Sequence, residues 1–314
     1  MRHANKGSSV VHLPIAMKLL EAKKNDGFIL VAVLWLLGAL SALVSIYAAY
    51  VIGTANSLAP YDNRLRAQAL VSAAAELVAY DQSTSPAQLR PSFGRLSFRL
   101  GEAQISVAYH SESARIDLNK APAQLLARLF TVLGTGPDLA DAYAAAIIAW
   151  RTTPRAGQED DALAYRKAGY LPRGAPFPSV RELALVLDIP GALVERALPY
   201  VTTFSGRAQI NILTAEPKVL LAIPGMTQES VVALLKQRAV SPNDGKPLMQ
   251  LTGAGQSFAT LDPGRTFRLN VDIVFDRGGS AKYDVVIQLF EEADEPLAIL
   301  TWRDIIDEPA EGAQ

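Results

Sequence analysis

The sequence predicts an α+β fold led by a long N-terminal helix, and three observations predict it. An uncharged apolar run extends from Phe28 to Ile52. Apolar residues alternate with polar ones near residues 96–109 and again near 267–289. Between these lies an alanine-rich stretch with helical periodicity. Strands on both sides of a helical middle imply one antiparallel sheet whose sequence is split by an inserted, mainly helical domain.

The apolar run comes first. As a helix its 25 residues would span ~38 Å, more than the ~30 Å hydrocarbon core of a bilayer. It is too long for the apolar part of an ordinary secretory signal, about 7–15 residues. Arg2, Lys6, Lys18, Lys23 and Lys24 against Glu21 and Asp26 leave residues 1–27 with a net charge of +3. Cationic flanks stay on the cytoplasmic side, so the expected topology is a single pass with the N-terminus inside and the bulk of the chain outside. Beyond the run, Leu65, Ala69, Ala73 and Leu77 recur every fourth residue and mark one helical face, with Arg66 and Glu76 on others. Gly53 and Pro60 are expected to loosen or kink the helix between its halves.

The strand signals follow. Leu96, Phe98 and Leu100, then Ile105, Val107 and Tyr109 after Gly101-Glu102, read as a hairpin. Phe267 to Phe275 and Tyr283 to Leu289 alternate around a turn at Asp276–Ser280, and Leu297 to Trp302 adds a third late strand. In the middle, Leu125, Leu129 and Val132 form one helical stripe, and Ala144, Ile147, Ile148 and Trp150 a second. Leu183, Val186 and Leu187 form a third. Thr152 to Ser179 is proline- and glycine-rich and predicts a long loop carrying Tyr165 and Phe177.

An internal repeat crosses this middle region. Ala114-Arg-Ile-Asp-Leu-Asn-Lys-Ala121 matches Ala208-Gln-Ile-Asn-Ile-Leu-Thr-Ala215. Each copy predicts a short strand, a polar cap and an amphipathic helix. Asn119 and Thr214 are the expected N-caps, with Pro122 and Pro217 in the first helical turn.

Composition narrows the function. Among 314 residues half are hydrophobic, enough to bury a substantial core, and the net charge is −1. There is no cysteine, which excludes disulfides and thiolate metal sites. Of three histidines, His3 and His12 precede the apolar run and only His110 follows it, which disfavours a histidine-dependent hydrolase. No nucleophile elbow, phosphate loop or metalloprotease signature occurs, so an enzyme is not expected.

Gly27-Phe28-Ile29-Leu30-Val31, with basic residues before it and an unbroken apolar helix after it, resembles the type IV prepilin processing site. That resemblance implies cleavage after Gly27 by a prepilin peptidase and methylation of the new N-terminus at Phe28. Most pilins carry a glutamate at the fifth mature position, where this chain has Ala32. Lack of that glutamate is similar to the minor pseudopilin K family of type II secretion systems. The resemblance extends over nearly the whole chain beyond residue 27. It implies a cytoplasmic leader at 1–27, a transmembrane helix at 28–60, a pilin-like head at 61–117 and 205–314, and an inserted helical domain at 118–204. It also implies a bacterial inner-membrane protein with its bulk in the periplasm. The implied partners are minor pseudopilins I and J, the major pseudopilin and the inner-membrane assembly platform.

Family members are calcium binders, and the order Trp150, Gly157-Gln158-Glu159-Asp160 and Tyr165 is similar to theirs. The resemblance therefore implies calcium at Glu159, Asp160 and Asp161. Relatives often carry aspartates soon after the tryptophan, where this chain has Arg151-Thr152-Thr153. The residues themselves also read as a solvated acidic start to a helix. The alternative function is a membrane-anchored DNA-binding or DNA-uptake protein. Ile210 to Arg238, through Ile223-Pro224-Gly225-Met226, resembles a helix-hairpin-helix motif, but Thr227 stands where its second glycine is expected. Residues 208–240 carry a net charge of only +1, so no nucleic acid is expected.

Overall fold

The structure, a computed structural model, describes residues 26–86, 90–153, 159–241, 245–290 and 295–305, and within them all side chains but those of 26–27, 51–64 and 159–162. Helix α1 (Asp26–Thr84) is helical through Gly53 and Pro60. Two compact bodies divide at residue 64, and each is described separately.

In the first body, Phe28–Tyr50 is apolar and wholly exposed. Ser45 donates its hydroxyl to the Ser41 carbonyl at 2.8 Å, so this polar group is satisfied within the helix, as a lipid environment demands.

The second body begins at Leu65 and holds two cores. One lies between the last part of α1 and a five-stranded antiparallel sheet of order β1-β2-β7-β8-β9. These strands are β1 (Phe93–Leu100), β2 (Ala103–Ser111), β7 (Thr266–Phe275), β8 (Ser280–Leu289) and β9 (Leu297–Ile305). The expected alternation is observed: Ile105, Val107 and Tyr109 on β2 and Phe267, Leu269, Val271 and Ile273 on β7 are buried against the helix. Gly101, with φ of 58°, turns β1 into β2 in two residues, a conformation that a Cβ would oppose. Tyr109 ties sheet to helix by donating to Asp81 at 2.8 Å, and its ring lies where a Cβ on Gly94 would be, 2.4 Å from the phenol oxygen.

Leu65, Ala69 and Leu77 line a single face of α1, but it is the exposed one: Leu65 is 66% exposed. The buried face is Ala67, Leu70, Val71, Ala74, Ala75 and Val78. Small alanines let the helix lie close to the sheet, so that face offered a weak hydropathic signal.

β2 and β7 are neighbours in the sheet, with the chain from Glu112 to Arg265 between them. This stretch forms the second core, whose buried residues run from Ala114 to Ala259. It contains β3 (Ile116–Asp117), α2 (Ala123–Val132), α3 (Pro137–Arg151), α4 (Glu159–Lys167), α5 (Gly191–Ala197) and β4 (Val201–Thr202). It continues with β5 (Ile210–Asn211), α6 (Pro217–Ala222), α7 (Gln228–Val240), α8 (Gly245–Leu251) and β6 (Ala259–Thr260). The segment 118–204 expected as the insertion shares this core with residues 210–259. Helix α4 interrupts the predicted loop between Thr152 and Ser179, because residues 159–167 contain neither proline nor glycine.

The repeat is a structural duplication. β3 pairs in parallel with β4, and β5 in parallel with β6. Asp117 and Asn211 each accept from the backbone N–H two residues on, at 2.7 and 2.9 Å, and turn the chain toward α2 and α6. The two helices pack on each other. The N-caps are Pro122 and Glu216, neither with a side-chain cap bond. Asn119 instead exchanges two hydrogen bonds with the Phe177 backbone.

Candidate functional site

The N-terminal candidates lie in the first turns of α1. Gly27 is helical, Phe28 is 77% exposed and Ala32, four residues on, is exposed as well. Residues 1–25 of the expected leader lie outside the described residues.

Glu159, Asp160 and Asp161 form the first turn of α4, and their side chains lie outside the described ones. Carboxylate oxygens suit calcium, yet calcium takes six to eight ligands, so three residues leave about half the shell to other groups. Among the described residues no group of three metal-ligating side chains occurs. The region also has an aromatic core of its own. Trp150 is surrounded by Tyr165, Tyr170 and Phe177 with ring centroids 5.3, 6.2 and 6.4 Å away. Its indole N–H donates to Glu182 at 2.9 Å, and Arg173 pairs with the same carboxylate at 3.2 Å. If calcium binds Glu159–Asp161, the folded protein gains stability with saturation and its melting temperature rises. An unchanged melting curve at millimolar calcium would leave the acidic helix start as the whole role of these residues.

The DNA alternative depends on the hairpins. The first copy of the repeat contains Gly134-Thr135-Gly136 between α2 and α3, the glycine spacing that the second copy lacks at Thr227. Gly134 and Gly225 hold matching positive φ values, 92° and 85°. A phosphate would need free backbone N–H groups and cations there. In the second hairpin Thr227 takes that place itself: its hydroxyl accepts from Ser230 N at 3.2 Å while Ser230 answers Thr227 N at 2.9 Å. Asp138 and Glu229 occupy the first turns of α3 and α7, where they repel a phosphate.

Nearby arginines face inward. Arg128 donates to the Leu221 and Met226 carbonyls at 3.1 and 3.3 Å. Arg151 and Arg238 hold the equivalent carbonyls of Ala121 and Ala215, each at 2.8 Å. Burial lowers the Arg151 pKa while neighbouring Asp117 raises it. The second copy has Asn211 in place of that aspartate, and burial pushes Arg238 down to about 10. The duplication has thus become packing rather than a phosphate cradle.

A charged cluster joins the two cores of the head. Glu112, fully buried, accepts from Arg268 Nε at 2.5 Å and from the Thr202 hydroxyl. Arg268 also donates to Asp284 at 2.6 Å. Burial alone pushes the Glu112 carboxyl up, but Arg268 and Arg115, with the bonds from Arg268 and Thr202, hold it below the usual range. Burial, then Arg115, lowers the single head histidine, His110. This cluster brings together strands β4, β7 and β8 with residues far apart in sequence, and no local pattern could have announced it. It is closed and internally satisfied at Glu112, which suits a structural joint.

Comparison with known proteins gives concordant results. Residues 103–206 match the first domain of type II secretion system (T2SS) protein K. A 101-residue segment is 35% identical to type II secretion system protein K of Klebsiella pneumoniae; it covers 31% of this chain and 31% of that relative. The fold matches a chain in the crystal structure of the GspK-GspI-GspJ complex from the enterotoxigenic Escherichia coli type 2 secretion system, with a TM-score of 0.54 and 20% identity. That match covers 78% of this chain and 98% of the other.

Proposed function

We propose that this chain, which matches type II secretion system protein K over residues 103–206, acts as the minor pseudopilin at the tip of a periplasmic pseudopilus. The match over that domain, placed behind an apolar N-terminal helix, carries the proposal. The GspK–GspI–GspJ complex supports minor pseudopilins I and J as partners. In this reading the chain helps initiate pseudopilus assembly on the inner-membrane platform, below which the major pseudopilin is added. Export across the outer membrane follows from that assembly.

Residues 1–27 are the cytoplasmic leader, Phe28 onward the anchor, and the head lies in the periplasm. Because one core joins Ala114 to Ala259, we place the ends of the helical insertion near Glu112 and Leu261, wider than 118–204. Ala32 is the tip-specific position. In a helical stack an N-terminal ammonium in hydrocarbon needs a nearby carboxylate, at a cost of several kcal/mol if it has none. A subunit with Ala32 supplies no carboxylate and is best tolerated where no such neighbour must be matched.

Processing tests this directly. Mass spectrometry of the membrane fraction is expected to find a mature chain beginning at methylated Phe28, and Gly27→Trp to leave full-length precursor. Wild-type protein that keeps Met1 in cells with active prepilin peptidase would refute the assignment.

A further inference from the structure

The duplication leaves one arginine short of partners. At the end of α3, Arg151 donates through Nη1 to the Leu118 carbonyl and through Nη2 to the Ala121 carbonyl, and Asp117 lies close enough to favour its charged form. At the end of α7, Arg238 holds the matching carbonyl, that of Ala215, through Nη1 at 2.8 Å. Its Nε and Nη2 are buried and meet no acceptor among the described residues. The Thr214 hydroxyl, next to Ala215 in the chain, is buried without a partner as well. No described carboxylate supports Arg238: Asn211 stands where the first copy has Asp117, and Glu216 acts on Arg115 instead.

These orphaned atoms form a pattern. Nε–H and one Nη2–H point the same way in the guanidinium plane and make the two-pronged edge that matches both oxygens of a carboxylate. With Nη1 committed to Ala215, it is the edge that remains. Two buried donors on a cation are costly without an acceptor. Arg238 as a whole is half-buried, and Ala239 and Val240 beyond it are exposed, so the edge lies just beneath the surface. It is also at the far end of α7 from the hairpin, where the Thr227 capping box and Glu229 turn phosphate away.

We propose that the Nε–Nη2 edge of Arg238, assisted by the Thr214 hydroxyl, binds a small carboxylate ion that supplies the counter-charge Asp117 gives the first copy. A planar carboxylate places one oxygen on each prong, which a spherical chloride cannot do, and Thr214 adds a neutral donor. The site needs only this chain and stands independently of the pseudopilin reading.

The test is a thermal melt of the full chain in detergent, with acetate replacing chloride at constant ionic strength. About 100 mM acetate is expected to raise the melting temperature by about 3 °C. Arg238→Lys keeps the charge without the paired edge, and Thr214→Val keeps the shape without the hydroxyl. Each is expected to need about tenfold more acetate for the same shift. Arg238→Gln is expected to abolish the response; if it does not fold, Arg238→Lys and Thr214→Val decide. Lys236→Gln, which removes an exposed cation of the same helix, is expected to respond like wild type. Wild type that melts alike in acetate and chloride overturns the site. So does a shift that Arg238→Lys and Thr214→Val both keep in full, or one that appears only at molar acetate.

Discussion

Arg268→Leu is expected to lower the stability of the head by about 3–5 kcal/mol, because it strips the cation from a fully buried Glu112. Arg268 is itself 6% exposed and bridges Glu112 and Asp284. The melting temperature should fall by roughly 10 °C. The acid response should also weaken. In wild type the folded carboxyl of Glu112 lies below its unfolded value, so its contribution is present above the ordinary carboxylate range and is lost as pH falls through the folded value. In the variant only Arg115 and the Thr202 hydroxyl still oppose burial, so the folded value rises and less stability is lost on acidification. Thermal melts between pH 3 and 8 check both effects. A variant that melts like wild type, with the same acid slope, would show that Glu112 does not depend on this ion pair.

Trp150→Ala is expected to cost about 3–5 kcal/mol as well, by another route. Trp150 is 2% exposed and lies within 5.3–6.4 Å, centroid to centroid, of three other rings. Its carbonyl accepts from Gly174 N at 2.9 Å and its indole donates to Glu182. Removal opens a cavity under Tyr165, Tyr170 and Phe177, and residues 159–179 lose their inner wall. Limited proteolysis should cut there first, before the sheet opens. Trp150→Phe keeps a ring and leaves Glu182 paired with Arg173, so it should cost about 1 kcal/mol. Equal stability of Trp150→Ala and wild type would mean that the aromatic cluster does not hold this segment.

These two sites differ in how far the sequence announces them. Trp150, Tyr165 and Phe177 stand out as large apolar residues beside a proline-rich stretch. Glu112 and Arg268 are 156 residues apart and meet only because β2 and β7 are sheet neighbours. The strands were legible for a physical reason: one face of the sheet is buried, so Ile105, Val107, Tyr109, Phe267, Leu269 and Val271 alternate strictly. On α1 the same periodicity identified a face but not the side it takes. Alanine packs well against a sheet and equally well against another helix, so Leu65, Ala69 and Leu77 were indistinguishable from a core stripe. The repeat was legible as sequence, yet its first hairpin, Gly134-Thr135-Gly136, went unrecognised because a glycine pair between two apolar helices reads as an ordinary connection. The first cap failed because Asn119 bonds instead to the Phe177 backbone, 58 residues away.

The tip assignment makes the strongest demand on the whole molecule, and fibre composition measures it most directly. The chain should be overexpressed with the assembly platform and the other minor pseudopilins, and the product examined by electron microscopy with labels against this chain. A single label at one end of each pseudopilus is expected under the proposed tip role, with no fibre of this subunit alone. Ala32→Glu should leave that outcome unchanged. Long fibres built from this chain alone, or labels distributed along the shaft, would contradict the assignment.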